Sequence, residues 1–302
     1  METSQAVGLA SRTTPSRPRI IPVSAAVAFL AAFGLTFALG CLLLQSIIDA
    51  RKAEAFELAQ KHADSFQSRL QDSIGAAYML AGVVIENGGQ MSHFDAVAAD
   101  ILDQFPAAAA VQLAPGGIIR QIYPLKGNEG ALGHDLLASK DRRLDAHQAL
   151  VKRGLTMAGP FDLVQGGVGA VARYPVFIRD AQGRQKFWGF SIVLFHVPHL
   201  LELAGVGDLS RAGYRYEFCS MQADQSGCKV FARRGEGPPE APVSRDVAVP
   251  NGKWVLSIAP EGGWSNGFES AAVFAASFLL ALLAGAAQYF AMARLVSRKA
   301  GA

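Results

Sequence analysis

The sequence predicts a membrane-anchored α+β protein, with two transmembrane helices and antiparallel sheets between them. Two uncharged apolar runs, residues 23–44 and 271–291, lie near opposite ends of the chain. Each run can form about 20 residues of helix, which matches the roughly 30 Å hydrocarbon core of a bilayer. The segment between the runs is too polar to lie in lipid, and its strand-like stretches come in hairpin pairs. Hairpin pairs are typical of an α+β body rather than of a βαβ series.

Short basic tails flank the two spans and predict their orientation in the inner (plasma) membrane. Because Lys and Arg beside membrane helices favour the cytoplasmic side, we expect both termini in the cytoplasm and the body outside it, in the periplasm of a Gram-negative source. The formal net charge of +3 owes much to these tails, and the sequence has no basic stripe interleaved with aromatics that would indicate nucleic-acid binding. The basic tail residues are Arg12, Arg17, Arg19, Arg294, Arg298 and Lys299.

The first apolar run allows two interpretations, an uncleaved anchor and a cleaved signal peptide. A signal peptide has an apolar core of about 7–15 residues, followed by a small-residue cleavage site. Here the run is longer and continues through Leu42-Leu43-Leu44, which favours an anchor. Cys41 is then an ordinary intramembrane residue.

A long stalk helix is predicted directly after the first span. Residues 45–84 contain no proline and one glycine, Gly75, and their apolar or small residues recur at steps of three and four. Such spacing places those residues in one stripe along a helix. The stripe either packs on the chain's own body or pairs with a second copy of the chain as a short coiled coil. The residues of the stripe do not decide between these two interpretations. Its members are Phe56, Ala59, Ala63, Phe66, Leu70, Ile74, Ala77, Leu80 and Val84.

The rest of the body is predicted as short helices and hairpins. Turn-forming residues at 114–117 and 179–183 each separate two strand-like runs. The length of the body allows two small sheet modules in tandem. Predicted helices cover 92–105, 142–153 and 197–204, and predicted strands cover 109–113, 118–123, 168–178, 187–194, 214–218, 229–232, 245–248 and 254–258.

Two cysteines of the body, Cys219 and Cys228, are close enough in sequence to be joined across a short loop or hairpin. An oxidising compartment permits a disulfide between them. The alternative is a pair of free thiols or metal ligands, but no histidine lies nearby in the sequence to complete a metal site. We favour the disulfide.

Motifs that carry chemistry do not emerge from the sequence. Residues 167–172 have the spacing of a dinucleotide-binding loop, but Arg173-Tyr174-Pro175 continues them as a strand, where that motif requires a helix. His196 and His199 lack the carboxylate of a metalloprotease pair. We therefore expect no enzymatic activity, no metal and no cofactor.

Several unusual stretches resemble the CHASE domain, the extracytoplasmic sensor module of many bacterial receptors and of plant cytokinin receptors. The order of membrane helix, long stalk, sensor and membrane helix is also similar. The resemblance is most specific between residues 111 and 190, and extends less sharply through the stalk and residues 252–264. The stretches are Ile119-Arg120-Gln121-Ile122-Tyr123-Pro124, Gly133-His134-Asp135-Leu136-Leu137, Gly159-Pro160-Phe161, Ala172-Arg173-Tyr174-Pro175-Val176-Phe177 and Phe187-Trp188-Gly189-Phe190.

The resemblance implies a long N-terminal helix that carries two stacked PAS-like modules, with a small ligand in the membrane-distal one. We accordingly expect seven segments along the chain. They are a cytoplasmic tail (1–19), a transmembrane helix (20–44), the stalk helix (45–86), the membrane-distal PAS-like module (87–205), the membrane-proximal one (206–269), a second transmembrane helix (270–292) and a cytoplasmic tail (293–302).

The resemblance also implies five ligand-binding residues. Asp135 matches the aspartate that anchors an adenine-type ligand in the plant relatives, and Met157 matches a backbone contact; Tyr123 and Tyr174 lie in the same stretches. Arg173 replaces a pocket threonine of the plant relatives, and a buried guanidinium asks for a carboxylate or phosphate partner. Asp135 could itself be that partner, or it could be a helix N-cap, so cytokinin is not supported as the ligand.

These features predict a homodimeric transmembrane sensor of a small extracytoplasmic molecule. The signal would pass through both membrane helices to a cytoplasmic output domain, such as a diguanylate cyclase or a histidine kinase. Because only residues 294–302 follow the second span, we expect that output in a longer form of the receptor or in a separate partner. The alternative is a non-sensing membrane-anchored scaffold that holds another envelope protein.

Overall fold

The computed structural model has the predicted α+β fold, with a long N-terminal helix, two antiparallel sheets and two candidate membrane helices. It describes residues 20–138, 143–163, 167–221 and 227–300. The predicted tail 1–19, with its three arginines, lies outside the described residues. The chain divides into two units, one of Met1–Ala50 with Ser265–Ala302 and one of Arg51–Trp264, which we call the body.

In its described residues, the first unit contains two apolar helical segments. One is the start of α1 (Ile20–Glu86) and the other is α6 (Gly267–Ala300). Both helices are long and apolar enough to cross a membrane, with mean hydropathies of 2.4 and 2.1 in their most apolar windows. Their aromatic rings meet edge to face, with centroid distances of 5.7 Å for Phe29–Phe278 and 5.8 Å for Phe33–Phe274.

Within the body, α1 buries an apolar stripe against its own domain, so the first of the two interpretations of the stripe is observed. All predicted stripe residues except Phe56 are buried. Phe56 is 36% exposed and lies 4.5 Å from the guanidinium of Arg245, while the neighbouring Ala55 is fully buried. The prediction was wrong at this one position because the buried face of the helix passes through Ala55.

A five-stranded sheet packs with one face on the second half of α1. Several short helices accompany the sheet. Its strand order is β2-β1-β5-β4-β3, and all neighbours are antiparallel. The sequence did not reveal β3, because Gly159-Pro160 interrupts it; as an edge strand, β3 tolerates a proline and a bulge. The strands are β1 (Ala110–Pro115), β2 (Gln121–Tyr123), β3 (Thr156–Asp162), β4 (Val168–Arg179) and β5 (Gln185–His196). The helices are α2 (Phe94–Gln104), a 3-10 turn (Glu129–Ala131), α3 (Arg143–Lys152), α4 (Val197–Leu203) and α5 (Gly207–Arg211).

A four-stranded antiparallel sheet follows, with strand order β7-β6-β9-β8. Its inner face packs on α1 through Phe66, whose ring lies 4.9 Å from Phe218 and 5.9 Å from Trp254. Cys219 and Cys228 form a disulfide between β6 and the start of β7, with their Cα atoms 5.4 Å apart. The strands are β6 (Tyr214–Met221), β7 (Cys228–Arg234), β8 (Val243–Val249) and β9 (Gly252–Pro260).

One side chain joins the two sheets directly. Asn251, in the turn between β8 and β9, accepts a hydrogen bond from the Met157 backbone N–H at 2.7 Å and donates one to the Met157 carbonyl at 2.9 Å. Met157 lies in the edge strand β3. The Asn251 side chain satisfies both the backbone N–H and the carbonyl of Met157, as a neighbouring strand would. We call this pair the Asn251 clasp.

We predict that Phe66→Ala lowers the free energy of unfolding of the body by about 3–5 kcal/mol, because it removes a buried ring and leaves a cavity between α1 and the second sheet. Chemical unfolding in detergent micelles, followed by tryptophan fluorescence, measures this, since all three tryptophans lie in the body. Phe56→Ala on the same helix is the matched control, with an expected loss below about 1 kcal/mol. Equal losses for both variants would contradict the observed burial of the helix.

We predict that Asn251→Ala destabilises the body by about 1–3 kcal/mol, because the Met157 N–H and carbonyl lose their partners in a half-enclosed site. Hydrogen exchange at the Met157 amide should accelerate, as measured by mass spectrometry of the exchanged peptides. Asn87→Ala removes an exposed amide that bonds only to the carbonyl of Val83, and should leave that peptide unchanged. An unchanged Met157 amide in Asn251→Ala would show that the clasp does not form in solution.

Candidate functional site

A cavity of about 120 Å³ lies on the face of the five-stranded sheet that is turned away from α1. Its floor is formed by side chains of three adjacent strands, β1, β5 and β4. Side chains on a strand alternate between the two faces, so residues 171 and 173 of β4 and residues 192 and 194 of β5 point to the cavity. The lining residues are Gln112, Ile119, Gly130, Ala131, His134, Leu136, Phe161, Leu163, Val171, Arg173, Ile192 and Leu194.

Two polar side chains lie in one row across this apolar floor. Ile192 of β5 is opposite Gln112 of β1 on one side and opposite Arg173 of β4 on the other. With about 4.8 Å between neighbouring strands, the Cα atoms of Gln112 and Arg173 are about 10 Å apart. Gln112 is 5% exposed and Arg173 is 1% exposed. The row therefore presents an amide and a guanidinium to one enclosed volume.

Residues 130–136, which follow β2, cover the cavity. Their backbone is held to the β1–β2 turn, because Ile119 donates to the carbonyl of His134 at 3.0 Å and Leu136 donates to the carbonyl of Gly117 at 2.9 Å. Those bonds direct His134 and Leu136 towards the floor. The half-buried imidazole of His134 is thus the third polar group of the lining.

Of the five ligand residues that the resemblance implied, Arg173 lines the cavity. Asp135 stands between two lining residues, and its Oδ1 accepts hydrogen bonds from the backbone N–H groups of Leu137 and Ala138 at 2.9 and 3.0 Å. These bonds form a local turn, and the next described helix begins only at Arg143, so the helix N-cap that the sequence left open is not what Asp135 forms here. Ligand contact by Asp135 stays a prediction; Asp141, which follows it in sequence, lies outside the described residues.

Met157, Tyr123 and Tyr174 lie elsewhere on the sheet. The backbone groups of Met157 are occupied by the Asn251 clasp. Tyr123 of β2 is opposite Val111, which alternates with Gln112 and so lies on the face towards α1. Tyr174 also lies on that face, next in sequence to Arg173.

Tyr174 contacts α1 directly, and so does its neighbour on β5. The rings of Tyr174 and Tyr78 are 4.8 Å apart. Partial burial raises the pKa of the Tyr78 hydroxyl above its ordinary value, and the neighbouring Tyr174 raises it further, so the Tyr78 ring is neutral at physiological pH. Ser191, opposite Tyr174 in the sheet, donates a buried hydrogen bond of 2.8 Å to the carbonyl of Ala77. We call Tyr174, Ser191, Ala77 and Tyr78 the helix junction.

Sequence reasoning missed Gln112 and His134 as lining residues. The available signal for Gln112 was a single amide within the apolar run Ala110-Val111-Gln112-Leu113-Ala114, a run that otherwise predicts a buried strand. His134 stood in one of the stretches that resemble the CHASE domain. Neither position indicates a shared cavity until the strand register and the fold of the covering segment are known.

The cavity combines polar donors with an apolar floor. The floor offers donors from a guanidinium, an amide and an imidazole among apolar side chains, which is typical of small-molecule sites. Among the described residues, no group of three or more His, Cys, Asp or Glu side chains could hold a metal ion. The described lining contains no Ser, Thr or Cys that could act as a nucleophile.

Three solved structures resemble the chain over about two thirds of its length or more. An extracellular ligand binding receptor from Desulfohalobium retbaense matches with 14% identity and a TM-score of 0.51, over 67% of this chain and 39% of that receptor. The chain thus spans well under half of that receptor's length. The methyl-accepting chemotaxis protein X matches with 15% identity and a TM-score of 0.47, over 72% of this chain and 98% of that one. The periplasmic domain of Vibrio cholerae LuxQ matches with 12% identity and a TM-score of 0.43, over 68% and 98%. At 14% identity, the likeness to the first of these structures concerns the fold alone.

The family comparison is more specific. No curated protein matches the chain at the sequence level. The CHASE domain model matches residues 52–219, more than half of the chain. The matched region takes in the body part of α1, the entire five-stranded sheet with its cavity, and most of β6. The chain therefore belongs to the CHASE domain family.

Proposed function

We propose that the chain is a two-pass membrane receptor whose body binds a small extracytoplasmic ligand and signals through both membrane helices. The observation that carries this proposal is the cavity on the five-stranded sheet, where Gln112, His134 and Arg173 meet among apolar side chains. The scaffold alternative expects a collapsed cavity, and the volume of about 120 Å³ speaks against it. Membership of the CHASE domain family supports the sensing role.

The two sheets fit the tandem PAS-like modules that the family resemblance implied. We propose that residues 87–205, with the cavity, are the membrane-distal module and residues 206–269 the membrane-proximal one. The contacts along α1 support this order, since the first sheet meets the helix at Ala77 and the second at Phe66, closer to the apolar span. Both termini would lie in the cytoplasm, where a diguanylate cyclase or histidine kinase output would receive the signal.

A route from the cavity to the membrane is built from adjacent residues. Arg173 lines the cavity, while Tyr174 on the other face of the same strand contacts Tyr78 of α1. From Ala77 to Arg51 the helix runs about 39 Å at about 1.5 Å per residue. There Arg51 donates a hydrogen bond of 3.1 Å to the carbonyl of Trp264, three residues before α6 begins. Movement at the helix junction would thus reach the end of the first membrane segment and the start of the second.

We also propose that the receptor is a homodimer. Near the C-terminal end of α1, the side chains of Tyr78, Met79 and Ile85 are between 39% and 49% exposed. Exposed apolar side chains on one helix face are what a second copy of that helix would cover. Dimerisation would place two sets of membrane helices side by side, which an output enzyme with paired subunits requires.

We predict that a small metabolite raises the thermal unfolding midpoint of the full chain in detergent micelles, saturably and at one site. Binding to the folded state alone stabilises by about 2.7 kcal/mol when the ligand concentration is one hundred times Kd, so a screen at high concentration detects it. Arg173→Met should abolish the shift, because it removes the buried guanidinium.

The matched control is Arg179→Met. Arg179 lies on the same strand, but is exposed and bonds to the carbonyl of Gly183, so its loss should leave the shift intact. A flat response of the unmutated chain to every compound would favour the scaffold alternative.

We predict that a fluorescent protein fused after Ala302 is folded and bright, because the basic residues of the second tail hold that end in the cytoplasm. Alkaline phosphatase, which is active only after export, should be inactive at the same position and active when inserted in the turn at residues 181–183. The phosphatase insertion and the fusion are compared in the same cells. Phosphatase activity after Ala302 would overturn the two-pass topology.

A further inference from the structure

We propose that the cavity ligand is a small monocarboxylate without an amino group, held by the row of Gln112 and Arg173 with His134 above it. This inference rests on the proposed sensing function and adds the chemical class of the ligand. It follows from the donors in the cavity, from its size and from the absence of acidic side chains in its described lining.

The donors of the cavity suit a planar anion. A guanidinium presents five N–H donors in a plane, so it can grip both oxygens of a carboxylate and still bond to another group. The Gln112 amide, about 10 Å away at the backbone, offers two more donors towards the same volume. His134 can add one from above. A carboxylate bound here accepts charge-assisted hydrogen bonds, which are stronger than bonds between neutral groups.

The size of the cavity limits the body of the ligand. Its volume of about 120 Å³ is well below the roughly 300–1,000 Å³ of sites for drug-sized molecules. An adenine with a side chain is too large for it. Ile119, Val171 and Leu194 line the cavity beside the donors, so a short apolar carbon chain fits the remainder.

The described lining also separates plain carboxylates from amino acids. Its described residues include no Asp or Glu, and the Asp135 carboxylate beside them accepts two backbone hydrogen bonds, so we infer that the ammonium group of an amino acid would meet no carboxylate there, in place of the ligand contact predicted for Asp135. Enclosing an ammonium group without an anionic partner is costly. A hydroxyl or keto group at the same position needs only a neutral hydrogen-bonding partner, which Gln112 can supply.

Three probes of nearly equal size test the proposal on the full chain in detergent micelles. L-Lactate, L-lactamide and L-alanine differ in the acid group or in the group beside it. Each is titrated against the thermal unfolding midpoint, together with acetate, propionate, pyruvate and inorganic phosphate. We expect at least one monocarboxylate to raise the midpoint saturably. Lactamide and alanine should bind at least about tenfold more weakly than lactate, which corresponds to about 1.4 kcal/mol.

Two variants identify the site. Arg173→Met should abolish the response to the monocarboxylate, and Gln112→Met, which keeps the length of the side chain, should weaken it about tenfold. Arg179→Met is again the control and should respond as the unmutated chain does. If Arg173→Met does not fold, Gln112→Met and the comparison of lactate with lactamide still decide, because the latter needs no variant.

The outcomes separate this inference from the proposed function. Equal shifts from a carboxylate and its amide, a response to phosphate alone, or alanine binding as tightly as lactate would overturn the monocarboxylate. A neutral metabolite that raises the unfolding midpoint of the unmutated chain but not of Gln112→Met would also overturn the monocarboxylate. That result would still support the sensing function. A chain that responds to no compound at all contradicts the sensing function itself.

Discussion

The packing of both sheets on one helix is the constraint on which the rest of the body depends. The buried stripe of α1 receives the four-stranded sheet around Phe66 and the five-stranded sheet around Ala77. Several stripe positions are alanines, including Ala59, Ala63 and Ala77, and small side chains let a strand backbone come near the helix. Close approach is what allows Ser191 to reach a main-chain carbonyl of the helix. The sheets are therefore held to a shared rod, with the Asn251 clasp as a direct link between them.

The two faces of β4 give this arrangement its functional meaning. Strand geometry sends Arg173 to the cavity and Tyr174 to α1, because successive side chains point to opposite faces. The same alternation on β5 sends Ile192 to the cavity and Ser191 to the helix. In both β4 and β5, a residue that lines the cavity is therefore bonded directly to a residue that contacts α1. A close-packed interior transmits such displacements, since it has little free volume to absorb them.

Local patterns predicted those parts of the fold that are decided locally. The stripe of α1 was visible at steps of three and four, and the β4–β5 hairpin was visible from its Asp180–Gly183 turn. The β3 strand escaped, because its place at the sheet edge, which tolerates Pro160, is a tertiary property. Phe56 was placed in the stripe because spacing alone does not resolve the rotation of a helix by one residue.

The site was harder to predict, because it is assembled by pairing between distant residues. Gln112 and Arg173 lie in one row because each is opposite Ile192 of β5. The spacing of residues in the sequence does not predict this strand register. Arg173 was identified only because the chain resembles a known family, and the same resemblance pointed to Met157, whose backbone is engaged with Asn251. In this chain, the resemblance identified Arg173 but did not reveal that Asn251 bonds to the backbone of Met157.

The energies at the helix junction are of the right size for a switch. A ligand shifts an equilibrium between two states only by its difference in affinity for them, and coupling between sites is typically about 1–3 kcal/mol. The Ser191 hydrogen bond contributes about 1 kcal/mol and the Tyr174–Tyr78 pair about 0.5–1.5 kcal/mol. The buried stripe holds α1 in the body, and these two contacts at the helix junction are comparable in free energy to such a coupling. Because Arg173 and Tyr174 share a peptide bond, the proposed closure of the guanidinium on an anion would act on the helix junction without an intervening element.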